Sequence, residues 1–128
     1  MTQPTRIQRR RTRGWKMPPN TVSVTRPSLF GNPFTVARAI EAGFIRRSSD
    51  PGANEFLVAS FRHWLFEAPN GRRWWWEGSE SDQQKADIRH RLPELCGKNL
   101  ACWCPLDQPC HADVLLELAN GPMCEVVP

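Results

Sequence analysis

One stretch limits the folds open to this chain more than any other. Asn99-Leu100-Ala101-Cys102-Trp103-Cys104 is short, apolar and bounded by turn residues, which reads as a buried strand. Pro105 closes it, because proline has no amide to give to a sheet. Pro109 then suits the first turn of a helix. Val114, Leu115, Leu118 and Ala119 form that helix's core face, and Asn120-Gly121-Pro122 ends it. A buried strand leading through a tight turn into an amphipathic helix belongs with helices packed on a small sheet. The expected architecture is α/β: a single small domain with a short, mostly parallel sheet and flanking helices.

The upstream pattern agrees. Thr21-Val22-Ser23-Val24-Thr25 is β-branched and alternates in polarity, which predicts a strand that Pro27 ends. Thr35 is placed to cap a short helix from about Val36 to Phe44. Phe56, Ala59, Trp64 and Phe66 mark a stronger helix, stopped at Pro69-Asn70-Gly71. Ser79 or Ser81 opens a third, carrying Ala86, Ile88, Leu92 and Leu95, with Pro93 distorting its last turn. Trp74-Trp75-Trp76 fits no regular element, since three consecutive large aromatics cannot share one face. Core packing by at least one of them is expected.

A chain of 128 residues makes one ordinary domain, and 40% hydrophobic with 23% charged residues fits a packed core. No apolar run approaches the ~20 residues needed to cross a bilayer, and no apolar segment follows the first basic residues as in a secretory signal. A cytoplasmic protein without a membrane partner is expected. Five cysteines in that compartment point to thiols, ligands or core packing rather than disulfides. Six of the 17 basic residues, Arg6, Arg9, Arg10, Arg11, Arg13 and Lys16, crowd the first sixteen positions, leaving 11 basic against 13 acidic residues elsewhere. Residues 1–17 therefore read as a basic arm and residues 18–128 as the domain. The plain reading of the arm is a solvated tail; the functional one is attraction for phosphates.

Chemistry concentrates in Cys102-Trp103-Cys104-Pro105-Leu106-Asp107-Gln108-Pro109-Cys110-His111-Ala112-Asp113. Ligands of open α/β sheets bind beyond the carboxyl ends of strands, and a helix start offers amide donors and a positive dipole end. Cys110, in the first helical turn beside His111, has the setting of an activated thiolate, against the plainer reading of a small buried residue. His111 is placed for acid–base work or for a bond to the turn backbone. Asp113 either favours the helix start or, with His111, orients a ligand hydroxyl. Cys110, His111 and Asp113 are thus the candidate catalytic set. Cys102, Cys104, Cys110 and His111 are also four candidate metal ligands, with Cys96 as a spare. Geometry counts against a shared zinc. If residues 102–104 stay extended, the two cysteines lie about 6–7 Å apart at Cα, and their side chains converge only if the strand ends at Cys102. Adjacent helical residues at 110 and 111 diverge by about 100°.

These residues carry a family resemblance. Ile7-Gln8-Arg9-Arg10, Gly14-Trp15-Lys16-Met17-Pro18, Val24-Thr25-Arg26-Pro27-Ser28, Gly31-Asn32-Pro33-Phe34, Gly97-Lys98-Asn99-Leu100-Ala101-Cys102-Trp103-Cys104 and Cys110-His111-Ala112-Asp113-Val114-Leu115 resemble the domain-of-unknown-function family numbered 4326 of phage and bacterial genomes. The match brackets most of the chain and thins between about Ser48 and Ser81. A more distant similarity, of the strand–proline turn–Cys-His helix pattern, is to the family numbered 488. The resemblance supplies no activity, and a phage source would make the host cytoplasm the compartment. It does imply that Arg9, Arg13 and Trp15 belong to the site, so that the arm packs near it. Arg26, Ser28, Gly31 and Asn32 then become a second wall, facing the Cys102–Cys104 loop across one cleft if the strands are parallel neighbours. The plain reading of this loop is a turn with Arg26 on the surface.

Three functions follow. The first is binding of a nucleotide or other phosphate-bearing small molecule at the strand-end loops, with catalysis left open and no cofactor required. The second is nucleic-acid binding through the arm and the tryptophans, Arg72 and Arg73 beside them. The third is a zinc-stabilised module acting on a host protein. The first depends on two things: that the amides after Pro109 open to solvent, and that Arg26 points at the same hollow. Oligomeric state is not legible.

Overall fold

A computed structural model describes residues 3–67, 79–121 and Cys124. Three strands, β1 (Arg6–Gln8), β2 (Thr21–Ser23) and β3 (Asn99–Cys102), form one parallel sheet in the order β1-β3-β2. Leu100 and Ala101 are fully buried, as befits a central parallel strand covered on both faces. The ladder runs on past the strands. Arg9 N–H donates to Cys102 O at 2.8 Å and Val24 N–H to Ala101 O at 2.9 Å. Both neighbours therefore end level with the end of β3.

The first strand was not legible. Arg6–Gln8, expected inside a basic arm, pairs with β3 in the register Arg6↔Leu100, Ile7↔Ala101, Gln8↔Cys102. Three mostly polar residues carry no periodicity, and their partner lies more than ninety positions away.

The helices are α1 (Val36–Glu41), α2 (Ala53–Arg62), α3 (Ser79–Arg91) and α4 (His111–Ala119). Thr35 caps α1 as expected, accepting the Arg38 N–H at 3.1 Å. A π-helical turn, His63–Glu67, prolongs α2, and a 3₁₀ turn, Leu92–Leu95, follows α3 where Pro93 cannot continue an α-helix. The core gathers Val24, Phe34, Phe61, Trp64, Leu65, Ile88, Leu95, Leu100, Val114 and Leu115. Trp64 satisfies its indole N–H on Ser81 Oγ at 2.8 Å, fixing α3 to the turn after α2. Trp74, Trp75 and Trp76 lie outside the described residues. Among those residues no helix is long and apolar enough to cross a membrane.

Two cysteines depart from the expected thiol state. Cys96 and Cys124 form a disulfide with Cα atoms 5.6 Å apart. Asn120 brings the segments together: its Oδ1 accepts the Gly97 N–H at 2.9 Å, holding the entry to β3 against the end of α4.

Candidate metal centre and strand-end cleft

The chain stops being a strand at Cys102, two residues before the apolar run ends. Trp103 to Pro105 bend away, and Gln108 N–H closes a turn on Pro105 O at 3.1 Å. The bend swings Cys104 back, so its sulfur lies 3.7 Å from that of Cys102. Sulfurs sharing a tetrahedral zinc with bonds of about 2.3 Å stand about 3.8 Å apart. The expected separation of these two side chains, which assumed an extended 102–104 segment, is corrected by this early strand end.

Cys110 differs from its expected place by one residue, with large consequences. It is the N-cap of α4, at φ −146° and ψ 148°, rather than a residue of the first turn, and Pro109 precedes the cap. Its extended backbone removes the helical divergence expected between positions 110 and 111. His111 Nδ1 lies 3.7 Å from Cys110 Sγ. His111 Nε2 lies 2.8 Å from the Val24 carbonyl. A carbonyl only accepts, so Nε2 carries the proton and the Nδ1 lone pair faces the thiols. The donor atoms of Cys102, Cys110 and His111 all fall within 4.8 Å of one another, and all three residues are buried. This group could hold a metal ion. Cys104, half-buried, touches it through Cys102.

The thiols share charge. Cys102 is held far below the ordinary thiol range by its contacts with Cys104 and then Cys110, while burial opposes the shift. Cys104 and Cys110 are correspondingly pushed up, chiefly by their contacts with Cys102.

The helix start is closed. Cys110 Sγ accepts the Ala112 N–H at 3.5 Å, Asp113 Oδ2 accepts the Cys110 N–H at 3.2 Å, and Asp113 N–H returns to Cys110 O at 3.0 Å. The expectation of amides open to solvent after Pro109 is overturned by the chain's own cap. Cys110 and His111 are enclosed as well, at 1% and 6% exposure, so neither stands free at the surface as a nucleophile or base. Asp113 is engaged twice, since its Oδ1 also meets Arg6 Nε at 3.3 Å.

Arg6 is the residue that sequence reasoning missed. Its Nη2 donates to Leu106 O at 3.0 Å and Gln108 O at 2.7 Å, clamping the loop that carries Cys104 and leads to Cys110. Asn54 Nδ2 adds a bond to Pro109 O at 2.7 Å. A signal existed: a loop with prolines at 105 and 109 has carbonyls to satisfy and few amides to do it.

A cleft of about 210 Å³ opens above the cluster, lined by all four sulfur and imidazole residues. Arg26 and Asn32, from the loop after β2, line its other side, so the two loops face each other across parallel neighbours. Asn32 is fixed from within, accepting the Phe34 N–H at 2.9 Å and donating to Leu57 O at 3.3 Å. Gly31 serves a close approach, but to Arg26 of the same loop: a Cβ there would stand 2.8 Å from Arg26 Cγ. Ser28 lines a separate depression beside α3. Arg9 spans the strand ends. Arg13, exposed, and Trp15, half-buried with its N–H on Thr12 O at 3.0 Å, do not line the cleft.

No curated protein and no solved structure matches the chain. A family model described as a domain of unknown function, DUF4326, matches residues 7–121, a span that begins within β1 and runs past α4. The chain that folds into this cleft and cluster belongs to the DUF4326 family.

Proposed function

We propose that this domain is a zinc-binding module whose ion forms the floor of a small-molecule cleft. The observation that carries the reading is the convergence of Cys102, Cys110 and His111 within 4.8 Å at the end of the central strand. Thiolates with an imidazole select a borderline-soft ion such as zinc over calcium or magnesium. The Val24 carbonyl on Nε2 is the outer bond that orients a metal-binding histidine and fixes its tautomer. The Arg6–Asp113–Cys110 N–H chain does the same for the thiol side. Cys104 stands 3.7 Å from Cys102 and supplies a fourth donor at the cleft edge. Three cysteines and one histidine make the Cys3His donor set of four-coordinate structural zinc sites.

The test is metal content. Protein purified under reducing conditions carries about one equivalent of zinc. Cobalt replacing it gives a thiolate-to-cobalt charge-transfer band that Cys102→Ser and Cys110→Ser remove. Less than about a tenth of an equivalent, with no cobalt band on reconstitution, overturns the reading.

A further inference from the structure

The mouth of the cleft carries charge that the described residues do not neutralise. Arg26 lines the cleft and is exposed. Arg9 reaches from the end of β1 across β3 to the end of β2, donating from Nη1 to Thr25 Oγ1 at 3.0 Å and to Ser23 Oγ at 3.4 Å. Its guanidinium carbon stands 4.4 Å from the centre of the Trp103 ring, and that of Arg11 stands 4.7 Å from the same ring. Trp103 and Thr25 both line the cleft, so these contacts hold cations at its entrance. Arg9 Nε is buried and has no hydrogen-bond partner. Among the described residues, ion pairs engage Arg6, Arg62 and Arg91 but not Arg9, Arg11 or Arg26. The cleft lining contains no carboxylate.

Arg26 in the lining, with the Arg9 and Arg11 guanidinium groups held against Trp103 beside it, calls for an oxyanion with several acceptor atoms. A phosphate monoester brings nearly two charges and three acceptor oxygens, where a carboxylate brings one charge and two. Size narrows the choice. A volume of about 210 Å³ lies below the ~300–1,000 Å³ usual for drug-sized ligands, which leaves no room for a dinucleotide. We infer that Arg9, Arg11 and Arg26 form a phosphate-reading rim over the cleft, and that its ligand is a small phosphomonoester. The inference rests on the metal reading for the cleft floor alone; the rim stands on different residues.

Calorimetric titration at fixed ionic strength tests it, with zinc measured on the same samples. Ribose 5-phosphate and AMP bind, whereas ribose and adenosine do not. Arg26→Met, an exposed position that leaves the core intact, weakens both by roughly tenfold, as does Arg11→Met. Phosphomonoesters that fail to bind at millimolar concentration, or that bind both variants as well as the parent, overturn the rim. Tighter binding of a single-stranded oligothymidylate lacking a terminal phosphate also overturns it, since the ligand is then a phosphodiester. Zinc-loaded protein that ignores every phosphate sinks the rim and spares the metal. Zinc-free protein that binds AMP through Arg26 does the reverse.

Discussion

β3 and α4 are tied together at both ends by cysteine, in opposite chemical conditions. At the foot of the strand, Cys96 and Cys124 are bonded to each other across 28 positions, and their sulfurs have nothing left to give. At the head, Cys102, Cys104 and Cys110 remain thiols, packed against an imidazole whose proton is fixed away from them. Each tie holds the same strand to the same helix. The foot is finished with its own atoms; the head has three sulfurs, an odd number, and one nitrogen lone pair gathered at a cleft. On the reading proposed above, the contrast is between a structural tie, which uses its sulfur up, and a ligand site, which keeps donors unspent beside an opening.

Breaking the head has the largest expected effect. Cys102→Ser or Cys110→Ser brings zinc content from about one equivalent to below a tenth. It also forfeits the stabilisation that free zinc gives, about 4 kcal/mol at a thousandfold excess over Kd, read as a lost zinc-dependent rise in Tm. Cys96→Ser leaves metal content untouched. If both sets of variants lose zinc alike, the two ends are not independent and the contrast fails.

Breaking the foot comes next. Closing a loop across 28 positions restricts the unfolded chain by about 3–4 kcal/mol, so Cys124→Ser lowers stability by that order in urea unfolding. Thiol titration of the denatured, metal-stripped chain checks the premise separately: three thiols react before reduction and five after. Five before reduction would mean that the foot is open and both ends are thiol. Cys104→Ser is smaller again. Cys104 meets the cluster through Cys102 and stands outside the 4.8 Å group, so its loss weakens zinc by about 10- to 100-fold without abolishing it, seen by competition with a chromophoric chelator.

What the sequence disclosed follows the same division. The strand–turn–helix unit was legible because an apolar run, two prolines and an amphipathic helix are local signals. So was the facing of Arg26 and Asn32 against the cysteine loop, which needs only parallel neighbours. The convergence of the sulfurs was legible only as a condition, because it depends on β3 ending at Cys102 and on Cys110 being a cap. Each is a shift of one or two residues, smaller than any periodicity can resolve, and each reverses the geometry. β1 and the disulfide were missed for another reason: their partners are distant in sequence, and three-residue strands and lone cysteines carry no pattern. Arg6 belongs with them, since its role is set by carbonyls a hundred positions away.

The smallest effect tests whether the closed helix start serves the head or only the helix. Asp113 accepts the Cys110 N–H at 3.2 Å and pairs with Arg6 at 3.3 Å, while its side chain remains 49% exposed. Loss of such a cap costs about 1 kcal/mol, and the exposed ion pair adds at most a fraction of that. Asp113→Ala therefore lowers Tm by a few degrees, about 3–6 °C for a domain of this size. If the cap also aims Cys110 at the ion, the same variant weakens zinc by about tenfold, and Asp113→Asn, which keeps an acceptor for the Cys110 N–H, recovers most of that affinity. A Tm loss with zinc affinity unchanged would make Asp113 a helix cap and nothing more. The head would then owe its geometry to the strand end, the Arg6 clamp on the loop and the Val24 carbonyl.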